Sequence, residues 1–206
     1  MKLLFATGNN YKFNLMKERL HELEKIELVN PKMLGIDIDV VEDGKTADEN
    51  SLKKAKAYYE ATKLATIAED SGLYIDKFSD DEQPGLFVKR VNGIEDLSDE
   101  EILEYYINKL NEHGGESLAH YSTGVAIINE DGEVFTDIDR ERDFLLTSER
   151  CEAKGVSGGV LGCISYDLDA KKYFNERTVE DEKEHYKVLD EKYRQLVKKY
   201  ILKKNK

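Results

Sequence analysis

Proline and cysteine are scarce in this sequence of 206 residues, with two of each. The cysteines, Cys151 and Cys163, form no CxxC pair, which argues against structural zinc. Two thiols with no dense disulfide pattern fit an intracellular chain in which both stay free. Gly/Ser-rich linkers, repeats and low-complexity stretches are missing too, so residues 1–206 are expected to form one domain. Long apolar runs are also lacking. The first, Leu3 to Ala6, is ended by Gly8 and Asn9 and is too short for a signal-peptide core. None approaches the roughly 20 residues that cross a bilayer. The expectation is a cytoplasmic protein with no membrane partner. Positive charge is in deficit, with 31 Lys and Arg against 43 Asp and Glu and a net charge of -12. Such a chain is a poor match for nucleic acid polymers. A small anion remains possible, because the field in a pocket is set by the groups nearest to it.

What is present reads as alternating elements. Lys2 to Ala6 predicts a buried strand. Asn10 to about Lys25 predicts a helix, with Phe13, Met16, Leu20 and Leu23 at helical spacing. Ile36 to Val41 alternates as a half-buried strand does, and Asp48 to Leu64 predicts a second helix. Ala65 to Ala68 and Leu73 to Ile75 read as two strands around an acidic turn. Ser98 and Glu101 form a capping box that opens a third helix. His120 to Asn129 and Glu133 to Leu146 read as a long hairpin turned at Glu130-Asp131-Gly132. Ser157 to Asp167 mixes glycines with a short apolar segment, and a long amphipathic helix closes the chain. The pattern predicts an α/β fold: a long twisted mixed sheet, flanking helices and two lobes around a central cleft.

Three segments carry chemistry. Thr7-Gly8-Asn9-Asn10-Tyr11-Lys12 joins the first strand to the first helix. There, backbone N–H groups and the helix dipole can meet an anion, with Lys12 in the first turn. Taken alone, the same residues also make a plain turn with Asn9 as helix cap. Glu42-Asp43-Gly44 precedes Glu49-Asn50 and Lys54, and Asn50 and Lys54 share one helix face. A solvated acidic turn beside an exposed lysine accounts for those residues singly. Glu69-Asp70-Ser71-Gly72 follows an apolar strand. Two carboxylates with a serine there suggest an oxygen-rich magnesium site, where a carboxylate can also take a proton from water.

Together these segments resemble the inosine/xanthosine triphosphate pyrophosphatase family. Its T-G-N-x-x-K opening is matched from Thr7 to Lys12. Its metal glutamate and E-N-x-x-x-K motif are matched by Glu42, Glu49, Asn50 and Lys54, and its (D/E)-D-S-G-L motif by Glu69 to Leu73. Its P-G-x-(Y/F)-x-x-R motif is matched by Pro84, Gly85, Phe87 and Arg90. The resemblance implies a homodimeric, Mg2+-dependent enzyme that hydrolyses small-molecule nucleoside triphosphates, such as those of deaminated purines, to monophosphate and pyrophosphate. It implies Asp70 as catalytic base and metal ligand, with Glu42 as second ligand. Thr7, Gly8, Asn9, Lys12, Lys54, Ser71 and Arg90 are then substrate-binding residues.

The departures fall mostly in the second half. The family's first helix has a glutamate where Leu15 stands. The family's F-(G/A)-(W/Y)-D-P base motif corresponds to Ile164-Ser165-Tyr166-Asp167-Leu168. Tyr166 and Asp167 are kept as substrate-binding candidates, while Ile164 removes the stacking ring. Glu182-Lys183 matches an E-K motif and makes Lys183 a candidate. No S-H-R follows it; His185 is near but out of place. Lys183, Lys187 and Arg194 are spaced to share one helix face, as a substitute basic surface or a merely solvated one. Rival expectations are a nucleotide-binding protein without turnover, an enzyme with altered nucleotide choice, and one acting on a non-nucleotide phosphoanhydride.

Overall fold

The computed structural model describes residues 1–94, 96–154 and 159–202. Among them are β1 (Lys2–Phe5), α1 (Asn10–Arg19), β2 (Glu27–Val29), α2 (Ala47–Thr62) and β3 (Ala65–Ile75). Next come α3 (Asp99–Glu112), β4 (Glu116–Ile128), β5 (Val134–Arg140) and β6 (Phe144–Thr147). The chain closes with β7 (Ser165–Asp167), β8 (Lys172–Tyr173) and α4 (Val179–Tyr200). The strands form one eight-stranded mixed sheet in the order β2-β1-β3-β4-β6-β7-β8, with β5 also paired to β4. β1 lies parallel to both β2 and β3, whereas β4–β6, β6–β7 and β7–β8 are antiparallel. The expected α/β class with a mixed sheet and flanking helices is what forms.

The chain divides into two compact units. The first comprises Met1–Asp70, Thr123–Asp139 and Tyr186–Lys206, and the second Ser71–Ser122 and Arg140–His185. In the first unit, strand alternation sorts side chains to the two sheet faces. Leu3, Phe5, Ala65, Ile67, Val125 and Ile127 pack with Met16 of α1 and with Tyr193, Leu196 and Val197 of α4. Their neighbours in sequence, Ala6, Ala68, Ala126 and Ile128, face Ala55 of α2. Small residues on that second face let α2 approach closely. In the second unit, Ile102, Leu103, Tyr106 and Leu110 of α3 pack with Leu73, Ile75, Phe144, Leu146, Ile164 and Phe174.

Several sequence expectations change. The first helix stops at Arg19, not Lys25. Leu20 and Leu23 stay buried, but in successive turns that bring the chain back to lay Glu27–Val29 along β1. That short strand carries too little alternation to announce itself. Ile36 to Val41 shows the expected alternation, with Ile36, Ile38 and Val40 half-buried, yet it pairs with no strand among the described residues. Alternation records one buried side of an extended chain and does not require a ladder. The acidic turn is no turn: β3 runs unbroken through Glu69, Asp70, Ser71 and Gly72. The hairpin turns where expected, with Asn129 accepting from the amides of Asp131 and Glu133 and Gly132 at φ +80°. Its second strand is interrupted after Arg140 and resumes at Phe144. Of the Ser157 to Asp167 segment, Ser157 and Gly158 lie outside the described residues.

Gly124 on β4 fixes how closely α2 can sit. A Cβ at that position would stand 2.2 Å from the Asp48 amide nitrogen and 2.3 Å from the Ala47 carbonyl carbon. Those are backbone atoms of the first turn of α2, so no side-chain rotation relieves the clash. Gly124→Ala is expected to push α2 outward and cost about 1–3 kcal/mol, as overpacking does. Urea unfolding of the purified variant checks it.

Candidate active site

The alternation of β3 also separates its two carboxylates. Ala65, Ile67 and Glu69 share the face covered by α1 and α4; Thr66, Ala68 and Asp70 share the face covered by α2. Each carboxylate therefore meets a different cation. Glu69 is buried and accepts from Arg19 Nη1 at 3.1 Å. Arg19 Nε is held by Asp190 of α4 at 2.9 Å, and its guanidinium lies over the rings of Tyr186 and Tyr193. Burial works to lower the Arg19 pKa, but Glu69 and the groups around it hold it above the ordinary arginine value. Glu69 is thus a neutralised structural anion.

Asp70 faces α2. Asn50 Nδ2 donates to Asp70 Oδ2 at 2.9 Å, and Lys54 Nζ lies 3.5 Å from Oδ1. The same Lys54 nitrogen donates to Glu42 Oε2 at 3.0 Å. Asn50 and Lys54, one turn apart, thus grip Asp70 together, and Lys54 ties it to Glu42. Asn50 is 2% exposed, and its Oδ1 accepts from the Gly44 amide at 2.7 Å. Gly44 is needed for that approach: a Cβ there would lie 2.5 Å from Asn50 Oδ1 and 2.9 Å from the Glu49 Cβ. Glu49 in turn accepts from the Lys45 amide at 2.7 Å. The loop carrying Glu42 is thereby clipped to the start of α2.

Thr7 to Lys12 leaves β1 beside the stretch of β3 that carries Glu69 and Asp70, since Phe5 pairs with Ile67. Asn9 is the helix cap: its Oδ1 accepts from the Tyr11 amide at 2.9 Å and the Lys12 amide at 3.1 Å. The Asn9 amide donates to Thr7 Oγ1 at 3.1 Å. Three amides of the turn are therefore engaged inside it. Gly8 is exposed, with nothing within 4 Å of where a Cβ would stand. The first turn of α1 has no acidic residue, so Lys12 and the helix dipole leave it electropositive.

The other candidates lie in the second unit. Ser71 continues β3, on the opposite face from Asp70. Arg90 is exposed, with its guanidinium 5.4 Å from the Phe87 ring centroid. Its loop is tied to β3 by reciprocal backbone hydrogen bonds between Leu73 and Gly85. Tyr166 on β7 is half-buried and meets Tyr173 edge-on. Lys183 is exposed on α4. Ile164 is fully buried in the core, so it offers nothing to a ligand. Of the proposed basic helix face, Lys187 and Arg194 both belong to the first unit; Lys187 is exposed, and Arg194 donates to the Arg19 carbonyl and pairs with Glu191.

Asp167 is buried and fully engaged. Its Oδ1 accepts from the amides of Asp169 and Ala170, and its Oδ2 lies 2.7 Å from Arg177 Nη2. Burial works to raise its pKa, but those amides and Arg177 hold it below the ordinary carboxylate value. Arg177 also stacks 3.4 Å above the Phe174 ring centroid and approaches His185 Nδ1 at 3.1 Å. Burial, and then Arg177, push the His185 pKa down to about 4. The ring is therefore neutral, with Nδ1 accepting from Arg177, and its 3.3 Å approach to Asp167 is not an ion pair. Sequence reasoning noticed His185 only as a misplaced residue, gave Gly44 no role of its own and overlooked Arg177 and Arg19. Their partners lie on other elements, and no spacing rule connects them.

Residues 3–141 match the Ham1 family. The chain belongs to that family. The match holds Thr7 to Lys12, Glu42, Lys54, Asp70 and Arg90, and stops before Tyr166, Asp167 and Lys183. A dITP/XTP pyrophosphatase of Leptospira interrogans is 33% identical over 132 residues, 64% of each chain. One of Aquifex aeolicus is 39% identical over 102 residues, 50% of this chain and 48% of its own. The chain thus aligns with less than two thirds of either relative. The Ham1 protein of Coxiella burnetii has the same fold, with a TM-score of 0.78 at 22% identity, covering 96% of this chain and 98% of that one. The Staphylococcus aureus Ham1 protein superposes with a TM-score of 0.74 at 22% identity, over 95% and 100% of the two chains.

Removing the Lys54 charge leaves two carboxylates facing each other. Lys54→Met is expected to cost about 1–3 kcal/mol, read by urea unfolding, and to lose less when Glu42→Gln is added. The second expectation concerns pH. The folded-state pKa of His185, about 4, lies below the ordinary value of 6.5, so the unfolded chain takes a proton that the folded chain refuses. The stability from this neutral histidine is complete above about pH 6.5 and declines as pH falls toward about 4. His185→Gln is expected to flatten the decline, measured as unfolding midpoints between those limits.

Proposed function

We propose that this chain is a nucleoside triphosphate pyrophosphatase that cleaves between the α and β phosphates and releases the monophosphate and pyrophosphate. The observation that carries the reading is Asp70 held by Asn50 and Lys54, with Lys54 shared with Glu42. A pure binding protein has no need of a carboxylate fixed this firmly. The dITP/XTP pyrophosphatases that it resembles support a substrate class of deaminated purine nucleotides.

Glu42 and Asp70 suit a hard divalent cation such as Mg2+, because both already converge on one cationic nitrogen. When bound, the ion supplies charge neutralisation on the phosphate oxygens. Asp70 accepts the proton of the attacking water, its orientation held by Asn50. Lys54 and Lys12 offset charge on the triphosphate, and the Gly8 turn gives it room. Ser71 and Arg90 are further phosphate contacts in this reading. Tyr166 and Lys183 are the base-recognition residues in this reading. We place the enzyme in the cytoplasm as a homodimer, with residues 1–206 acting as one domain and with neither nucleic acid polymer nor membrane as partner. No helix among the described residues is long and apolar enough to cross a membrane.

A second reading, a shifted base preference, rests on one observation. Asp167 is already bound by Arg177 and two amides, and Ile164 is sealed in the core, so neither is available as the family motif implies. Discrimination between bases rests on such polar groups. The test is pyrophosphate release with Mg2+ from inosine, xanthosine and standard nucleoside triphosphates, in ribo and deoxy forms, for wild type and Asp70→Asn. The expected result is release that prefers the deaminated bases and falls about 100- to 10,000-fold in the variant. Release from another nucleotide, lost equally in Asp70→Asn, would keep the mechanism and move the specificity. Triphosphate binding without release would overturn the enzymatic reading.

A further inference from the structure

We propose that Cys151 and Cys163 form a reversible intramolecular disulfide, which makes the entry to β7 a thiol-oxidation site. Both thiols are free and half-buried, and both line the same cavity, together with Arg150, Lys154 and Asn175. The Cys151 amide donates to the Cys163 carbonyl at 2.9 Å. One amide-to-carbonyl bond of this length cannot leave the two Cα atoms more than about 6.8 Å apart, the outer limit of the roughly 4.4–6.8 Å that a disulfide spans. The sequence separation of the two residues gave no hint of this pairing.

The surroundings assign an order to the sulfurs. Burial, and secondarily the neighbouring Cys151, raise the Cys163 thiol above its ordinary value, with Arg150 opposing. Cys163 is therefore the less readily oxidised thiol and takes the resolving role. With a peroxide, the Cys151 sulfur takes one oxygen to become a sulfenic acid while the peroxide's other oxygen leaves as water. The Cys163 sulfur then attacks the Cys151 sulfur, the S–O bond breaks and a second water leaves. Two thiols and one peroxide give one disulfide and two waters. A dithiol reverses the reaction by exchange. Cys163 leads directly through Ile164 into β7, and the Ile164 carbonyl accepts from the Thr147 amide of β6. A bond at Cys163 therefore fixes the segment that presents Tyr166 and Asp167.

The test treats the folded full chain with hydrogen peroxide, unfolds it in an alkylating reagent and counts blocked thiols by intact mass. The expected result is a fall from two alkylatable thiols to none, a monomer on non-reducing gels and a cross-linked peptide pairing Cys151 with Cys163. Dithiothreitol should restore both thiols. Cys151→Ser and Cys163→Ser are each expected to lose the cross-link; Cys163→Ser then carries the oxidised mass of a single thiol, whereas Cys151→Ser keeps Cys163 alkylatable. Retention of both thiols in wild type, or their loss only by separate over-oxidation or intermolecular pairing, would overturn the proposal. None of these readouts depends on nucleotide hydrolysis, so they stand or fall apart from the pyrophosphatase reading.

Discussion

Two carboxylates adjacent in sequence cannot share one environment when they lie on a strand. Glu69 and Asp70 project to opposite faces of the sheet, and the rest of the first unit is arranged around that separation. On one side the chain places Arg19, Asp190 and two tyrosine rings around Glu69, in a buried network whose charges are matched. On the other it places Asn50, Lys54 and Glu42 around Asp70. Had the segment formed the turn that its composition suggests, both carboxylates would have faced solvent. The strand turns one into a structural anchor and presents the other to Asn50 and Lys54.

The two halves of the chain stand differently toward the family. In the matched stretch, Asp70 and Glu42 are held by hydrogen bonds from Asn50 and Lys54 of α2. Beyond residue 141, Asp167 keeps its identity but is enclosed by Arg177, a neutral histidine and backbone amides. A position can thus retain its residue while its chemistry is redirected inward. Identity at Asp167 alone would have suggested an open acceptor.

How much was legible follows from where the information lies. Helix caps and spacing are local, so Asn9, the Ser98–Glu101 box that starts α3 and, to within two residues, the bounds of α2 could be read directly. The Asn50–Lys54 face was legible because a helix fixes which side chains align. β2 and the continuity of β3 were not, because a strand's pairing depends on chains remote in sequence. The same holds for Arg19, which finds Glu69 and Asp190 across three elements, and for Arg177, whose charge is spent on Asp167. Ile36 to Val41 shows the converse, a correct local pattern without the partner that would make it a strand.

The unit that contains Asp70 is assembled from three separate stretches of chain, the last of them in α4. During synthesis the apolar face of β1 and β3, with Met16 and Leu20, has no cover until Tyr193, Leu196 and Val197 emerge. The Arg19 guanidinium likewise waits for Asp190. β1, α1 and β3 are made before α4 and completed only with it. Nascent chains therefore present half-built apolar surface until α4 has been made, and that surface is where they are open to aggregation.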